Sequence, residues 1–196
     1  MLSFIGLILH HCIMAKAKTG SFWLTEELIL DTVDTAVQGP ISLASYVDVG
    51  DRQAIAVEEV DFVVQVFNTT TNAYTNSFQG AAGGDTTWAI QLADLNPGTQ
   101  FIGADDNSLI ASGALLYDDG NNVASLGPDL FPDTFGTLDE ARMVVSENLF
   151  FVAAFHGSAL AANREYRVTA RVKCKIVTLS LKDFMSIAVQ SSASEN

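Results

Sequence analysis

Four basic side chains near the C-terminal end of the chain form its densest group of like charges. They are Arg167, Arg171, Lys173 and Lys175. Alternate residues of a β-strand point to the same side, so this spacing predicts one face of a strand that carries all four cations. A row of cations attracts a negative surface, which here means the acidic part of another copy of the chain or a polyanion. The alternative is a solvated strand face without a partner.

Charge is distributed unevenly along the sequence. The 196 residues carry a net charge of −13. Residues 164–196 contain six basic and three acidic side chains, whereas residues 1–163 contain four basic and twenty acidic ones. This acidic majority argues against non-specific DNA binding by the whole surface. Only 17% of the residues are charged, which is typical of a chain that buries part of its surface against neighbours.

The residues that could support catalysis or metal binding lack the required spacing. His156 begins the sequence HGSA, which does not match the G-x-S-x-G pattern of a nucleophile elbow. Glu59 and Asp61 share one face of a predicted strand, but a glycosidase needs two carboxylates that face each other across a cleft. The acidic segments 105–107 and 118–122 do not match the calcium-loop pattern and are explained as turns. We therefore predict that the protein is not an enzyme and holds no metal or cofactor.

The first thirteen residues, MLSFIGLILHHCI, differ in composition from the rest of the chain. Their apolar run is too short to span a bilayer, so no membrane span is predicted. Three interpretations stay open: a misassigned start before Met14, a signal peptide with Ala15–Ala17 as its cleavage sequence, and an ordered apolar helix. We assign residues 1–20 to a dispensable leader or flexible N-terminal arm, and expect residues 1–13 to add nothing to the core.

Apolar runs bounded by turn residues predict eight strands. They cover residues 21–30, 41–49, 55–67, 86–92, 109–117, 141–145, 149–155 and 166–180. Gly39-Pro40 and Asn96-Pro97-Gly98 are two of the turn signals. In the last strand the apolar side chains alternate with the basic ones, and Cys174 lies on the apolar face, where a free thiol behaves as a small hydrophobic group. The apolar phase changes at Val177, which indicates a bulge or a change of burial near Ile176.

A short helix is predicted after the last strand. Its apolar positions follow the helical period and are Leu181, Phe184, Met185 and Ala188. This face is expected to pack on the core, and the alternative is that it docks on a neighbouring copy. Ser180 and Asp183 have the spacing of a capping box. Eight strands, long loops and one C-terminal helix predict an all-β fold, an antiparallel two-sheet sandwich with the strand count of a jelly roll. We assign one domain to residues 21–190 and a disordered tail to residues 191–196.

The order of these features resembles that of single-jelly-roll coat proteins of small icosahedral viruses, including tailless viruses of archaea and bacteria. The resemblance covers about residues 21–190. It is carried by the basic arm Lys16–Lys18, the long intervening loops, and the segments ISLASYVDVGDRQAIAVEEVDFVVQVF and RVTARVKCKIVTLSLKDFMSIAV. Such coats have no invariant catalytic or binding motif, so no site residues can be carried over. The arm is also less basic than the arginine-rich arms that package a genome.

The resemblance implies a structural protein of the virion that self-associates into an icosahedral capsid shell. Its partners would be other copies of itself, with a second capsid protein and weak contact with the packaged genome as further partners. The alternative is a secreted β-sandwich module that binds a ligand or a carbohydrate, which the loop aromatics Tyr74 and Phe78 and a cleaved leader would favour.

Overall fold

The computed structural model describes residues 15–75, 77–127 and 141–192, which form eleven strands and one helix. The elements are β1 (Lys16–Ala17), β2 (Phe22–Leu30), β3 (Val37–Ser42), β4 (Gln53–Asn68), β5 (Ala73–Thr75), β6 (Thr86–Ala93), β7 (Leu109–Asp118), β8 (Val123–Leu126), β9 (Arg142–Val144), β10 (Asn148–Gly157), β11 (Arg164–Thr178) and α1 (Leu181–Ser192).

Two antiparallel sheets pack face to face. In the first sheet the main strands lie in the order β2, β11, β4, β9, with β1 beside the end of β11 and β5 beside the end of β4. In the second sheet the order is β3, β10, β6, β7, β8. The first long strand therefore neighbours the last, and the chain crosses repeatedly from one sheet to the other, as in a jelly roll. The all-β fold, the two-sheet sandwich and the C-terminal helix predicted from the sequence are confirmed.

The core lies between the two sheets and is filled by the inward positions of the long strands. In β11 these positions are Tyr166, Val168, Ala170, Val172 and Cys174, all fully buried. They meet aromatic side chains from the opposite sheet: the Tyr166 ring lies 4.8 Å from that of Trp88 and 5.1 Å from that of Phe155. The strict alternation of β11 exists because one of its faces looks into this core and the other looks outward.

The second predicted strand was misplaced. The sequence indicates a strand over residues 41–49, but β3 covers Val37–Ser42 and residues 43–49 form turns. Gly39-Pro40 lies inside the strand, because β3 is at the edge of its sheet and Pro40 needs no donor on its open side. Leu43 lies beyond the end of β3 but is fully buried. Its apolar side chain therefore fills the end of the sandwich and does not mark a strand.

The predicted helix exists, but its predicted buried face was wrong. Phe184 is buried and Ile187 is partly buried against the outer side of the first sheet. Leu181 and Met185, which were expected to be buried, are 61% and 54% exposed. The cap sets this orientation: the backbone N–H of Asp183 donates to Ser180 Oγ (3.1 Å), and that hydroxyl donates to Asp183 Oδ2 (2.7 Å).

Helix α1 also explains the change of apolar phase at the end of β11. Val177 points outward like the basic residues before it, yet it is buried in a small second core with Ala54, Ala56 and Phe184. The bulge lies slightly earlier, where the pairing of β11 with β4 shifts between Lys173 and Cys174.

The short strands β1, β5 and β8 were not predicted. Each has two to four residues, which is too short to show a periodic pattern. Strand β1 belongs to the segment assigned to a flexible arm, but Lys16 and Ala17 pair with β11, and the Lys18 N–H donates to Ile176 O (2.8 Å). Helix α1 likewise continues to Ser192. Residues 1–14 and 193–196, which hold most of the predicted leader and tail, lie outside the described residues.

Candidate assembly surface

The outward face of the first sheet carries the four basic residues singled out in the sequence. Strand β11 lies in the middle of this face, paired with β2 on one side and β4 on the other. Because odd-numbered residues of β11 point away from the core, Arg167, Arg171, Lys173 and Lys175 lie in one row along it. The structure therefore brings all four together, as predicted.

Arg167 is held within the sheet by two carboxylates and one ring. Its Nη1 lies 3.1 Å from Glu27 Oε1 and its Nη2 lies 2.6 Å from Glu165 Oε1. The guanidinium carbon lies 3.8 Å from the centroid of the Phe67 ring, which is within the range of a cation–π contact. The Tyr74 hydroxyl donates to Glu27 Oε2 (2.9 Å) and fixes that carboxylate. Arg167 therefore has its charge balanced by its own chain.

Lys173 and Lys175 are also paired internally. Lys173 Nζ lies 3.3 Å from Glu59 Oε2, and Lys175 Nζ lies 2.5 Å from Glu58 Oε1. Glu58 is buried, and its second oxygen accepts a hydrogen bond from Ser21 Oγ (2.8 Å). Burial alone would raise the pKa of Glu58, but the hydrogen bonds from Lys175 and Ser21 outweigh it and hold that pKa below its usual value. Glu58 is thus ionised at neutral pH and ties β2, β4 and β11 together.

Arg171 is the most accessible cation of the row. Its guanidinium lies 4.7 Å from the ring centroid of Trp23, and it is opposite Asp61 in the pairing with β4. Among the described residues it forms no ion pair, and its side chain is exposed. The accessible positive charge on this face is therefore concentrated at one residue.

The surface as a whole is not basic, although its central strand is. Five carboxylates lie on or beside it: Glu27, Glu58, Glu59, Asp61 and Glu165. They outnumber the four cations, so the face offers little net attraction to a polyanion. The sequence shows these acidic residues, but it does not show that β2 and β4 are the neighbours of β11. The pairing of the basic residues with these carboxylates therefore could not be predicted. A role of the row in assembly or genome contact stays a prediction.

Among the exposed large apolar side chains are those of helix α1 and of strand β8. Leu181 and Met185 lie on the outer side of α1, next to the ion-paired face. Val123 and Leu126 lie on β8, at the far edge of the second sheet, and Leu126 is 86% exposed. Large exposed apolar side chains in clusters are typical of surfaces that bind another protein.

His156 and Cys174 lie apart from each other in the described structure, one at the surface and one in the core. His156 Nδ1 lies 2.8 Å from Asp34 Oδ1, and both side chains are exposed. No group of three or more His, Cys, Asp or Glu residues in the described ranges could hold a metal ion. Burial raises the pKa of the Cys174 thiol to about 12, so this thiol is not a nucleophile at neutral pH. Within the same ranges, no helix has the length and apolar character needed to cross a membrane.

Among the cavities lined by described residues are two shallow ones on the surface, with volumes of about 170 and 280 Å³. Both are smaller than the pockets of about 300–1,000 Å³ that usually hold small molecules. Phe78, one of the loop aromatics that could have marked a ligand site, packs 5.1 Å from the Trp88 ring and 5.5 Å from the Tyr117 ring, so it anchors its loop to the core. Tyr74 is half-exposed and supports Glu27 instead.

No protein-family model matches the chain, and no curated protein matches it in sequence. Solved structures that are similar to the chain include three from viruses, each with a TM-score below 0.5. Chimpanzee polyomavirus VP1 is 8% identical, with a TM-score of 0.39, over 86% of this chain and 99% of that one. Desmodium yellow mottle tymovirus is 9% identical, with a TM-score of 0.32, over 83% and 89%. Turnip yellow mosaic virus is 8% identical, with a TM-score of 0.27, over 83% and 97%.

Proposed function

We propose that this protein is a structural subunit of a virion that self-associates into an icosahedral capsid shell. The observation that carries the proposal is the strand order, in which two packed antiparallel sheets of six and five strands place the first long strand beside the last. This is the jelly-roll arrangement, which serves viral capsids as well as lectins and cupins. A fold alone does not specify a function, so the choice among these classes depends on the surface.

The surface favours a shell subunit over the other two classes. A cupin needs a cluster of metal ligands, and the described residues hold none. A lectin needs a pocket with polar groups directed into it, whereas the two cavities described above are small and shallow. Exposed apolar side chains on α1 and β8 instead provide area that a neighbouring copy can bury. Repeated contacts between copies of one chain can then close into a shell.

Salt should strengthen the association of purified protein. Each copy carries a net charge of −13, and three of the four cations in the row on β11 are already paired within the chain. Long-range repulsion between the acidic copies is then the main electrostatic contribution to association. Salt weakens this repulsion, because the Debye length is only about 10 Å at 0.1 M ionic strength. We expect sedimentation velocity and light scattering to show large particles whose yield rises between low and moderate ionic strength. A single 21.0 kDa species at every concentration and ionic strength would contradict the proposal.

Arg171 is expected to contribute to assembly through its exposed charge. Replacing it in the variant Arg171→Gln should leave the fold intact, because the side chain points away from the core and forms no ion pair in the described structure. Its particle yield at low salt should fall about fivefold, as expected for the loss of a contact worth about 1 kcal/mol. The difference from the wild type should shrink as salt is added. Light scattering at matched concentrations measures both effects.

Arg52→Gln is the matched control for this variant. It removes the same guanidinium charge from an exposed residue that lies on neither α1 nor β8. If Arg52→Gln lowers the yield as much as Arg171→Gln, the effect is one of net charge, and the row on β11 is a solvated strand face.

A second capsid protein, weak contact with the packaged genome and a location in the virion belong to the same proposal. The secreted binding module predicts instead that the mature protein lacks residues 1–17. Determining the N-terminus of the protein isolated from its natural source distinguishes the two.

A further inference from the structure

Strand β8 is an edge strand that lacks the charged residues and prolines that often block pairing with another chain. Its residues Val123–Leu126 carry no charge and no proline, and all four are exposed. The other long edges differ: β3 contains Pro40, and β2 contains Glu26 and Glu27. Charges and prolines are the common means by which natural sheets prevent edge-to-edge pairing. Because β8 has neither, its edge is free to pair with the strand of another chain.

The hairpin that presents β8 is well fixed. The turn after β7 is closed by a hydrogen bond from the Asn121 N–H to Asp118 Oδ1 (2.9 Å), and Asn122 adopts a φ of 55°. The Tyr117 hydroxyl donates to Asn122 Oδ1 (2.7 Å). A strand held in this way requires little ordering before it binds, which lowers the entropic cost of association.

The hydrogen-bonding direction of each residue in β8 follows from its pairing with β7. The Gly127 N–H donates to Ala114 O (2.7 Å), and Ser125 is the partner of Leu116. In an antiparallel pair, residues whose backbone groups point to the partner alternate with residues whose groups point away. Gly127 and Ser125 therefore bond to β7, whereas Ala124 and Leu126 direct their N–H and C=O groups to the open edge. No described strand pairs with that edge.

We propose that β8 pairs antiparallel with β8 of a second copy across a twofold axis. This pairing joins the second sheets of the two copies into one continuous sheet. The inference rests on the proposed self-association and names one of its interfaces. An axis at Ser125 places Ala124 of each copy opposite Leu126 of the other. Both outward-pointing residues of each strand then form hydrogen bonds, four in all for the pair.

A second copy is the partner that fits the charge of this chain. Every copy carries a net charge of −13, so most contacts between copies bring acidic surfaces together. Pairing β8 with itself brings together two uncharged segments and covers the exposed Leu126 and Val123 side chains of both copies. A twofold contact of this kind uses the same surface patch on each subunit, as isologous interfaces do.

A cysteine at the axis tests the register directly. The two Ser125 residues would form a non-hydrogen-bonded pair with Cα atoms about 4.5 Å apart, which a disulfide can bridge. In a Cys12→Ser background, we expect Ser125→Cys to form a covalent dimer under mild oxidation during association. Cys174 does not interfere because it is buried. Thr70→Cys, at an exposed position of the loop between β4 and β5, is the control and should stay monomeric on a denaturing gel.

Hydrogen exchange and one further variant complete the test. In the associated protein the amides of Ala124 and Leu126 should exchange at least about tenfold more slowly than in the dissociated protein, whereas the amide of Ser125 is protected in both. Ala124→Pro removes an outward N–H without breaking a bond to β7, so it should raise the dissociation constant about tenfold or more with the fold unchanged.

The possible failures can be told apart. If the wild-type protein associates but Ser125→Cys gives no covalent dimer and the two outward amides exchange at unchanged rates, the β8 pairing is overturned and the shell proposal stands. If the wild-type protein never associates, both proposals fall. If Thr70→Cys forms the covalent dimer as readily as Ser125→Cys, the cross-link reflects non-specific collision and the β8 pairing is overturned.

Discussion

Replacing Trp88 by alanine is expected to lower the free energy of unfolding by about 3–5 kcal/mol, a large part of the stability of a domain of this size. The Trp88 side chain is 0% exposed and lies in the centre of the core. Its ring contacts Tyr166 at 4.8 Å and Phe78 at 5.1 Å, so it joins the second sheet, the first sheet and the loop after β5. Removing it leaves a cavity that rigid strands on both sides cannot close.

The chain supplies its own control, because it contains two tryptophans. Trp23 is 40% exposed on the outer face and contacts Arg171 through its ring. Trp23→Ala should cost about 1 kcal/mol or less, as expected for an exposed cation–π contact. Urea unfolding followed by circular dichroism, at protein concentrations too low for association, measures both. Equal losses for the two variants would show that the core is not organised around Trp88 as described.

Replacing Asp94 by alanine should have a comparable effect, with a loss of about 3–5 kcal/mol in the free energy of unfolding. Asp94 follows β6 in the second sheet and is 1% exposed. Its Oδ2 lies 3.3 Å from Arg142 Nη2, and Arg142 belongs to β9 in the first sheet. This ion pair therefore links the two sheets at one end of the sandwich. Arg142 also donates to the carbonyl oxygen of Asn107, which places the loop after β6 over the same end.

The cost arises because truncation leaves the Arg142 guanidinium in a site built for a carboxylate. Asp105→Ala is the matched control, since Asp105 is an exposed carboxylate of the neighbouring loop and its loss should change the free energy of unfolding by less than about 0.5 kcal/mol. A small effect of Asp94→Ala, similar to that of Asp105→Ala, would mean that the ion pair does not hold the sheets together.

The long strands could be predicted because each has one face in the core. The alternation from Tyr166 to Cys174 follows directly from this arrangement, as does the apolar run of β4. Strand β3 was misplaced because apolar residues after it, such as Leu43, are buried by turns that close the end of the sandwich. A pattern of apolar residues shows that side chains are buried, but it does not show whether the backbone between them is extended.

The outer surface was harder to predict because it depends on which elements become neighbours. The orientation of α1 illustrates this. Leu181, Phe184 and Met185 were predicted to be buried together, but of these three only Phe184 packs in the small second core beneath the helix. The row from Arg167 to Lys175 was found by its spacing, whereas its balancing carboxylates come from strands distant in sequence. The exposed edge at β8 had no signal in the sequence, because four residues cannot show a period.

Electron microscopy of the purified full-length chain at moderate ionic strength tests the central claim most directly. The account predicts closed, uniform particles with icosahedral symmetry, built from many copies of the jelly-roll domain. A protein that stays dispersed as 21.0 kDa monomers across concentration, salt and pH would contradict it.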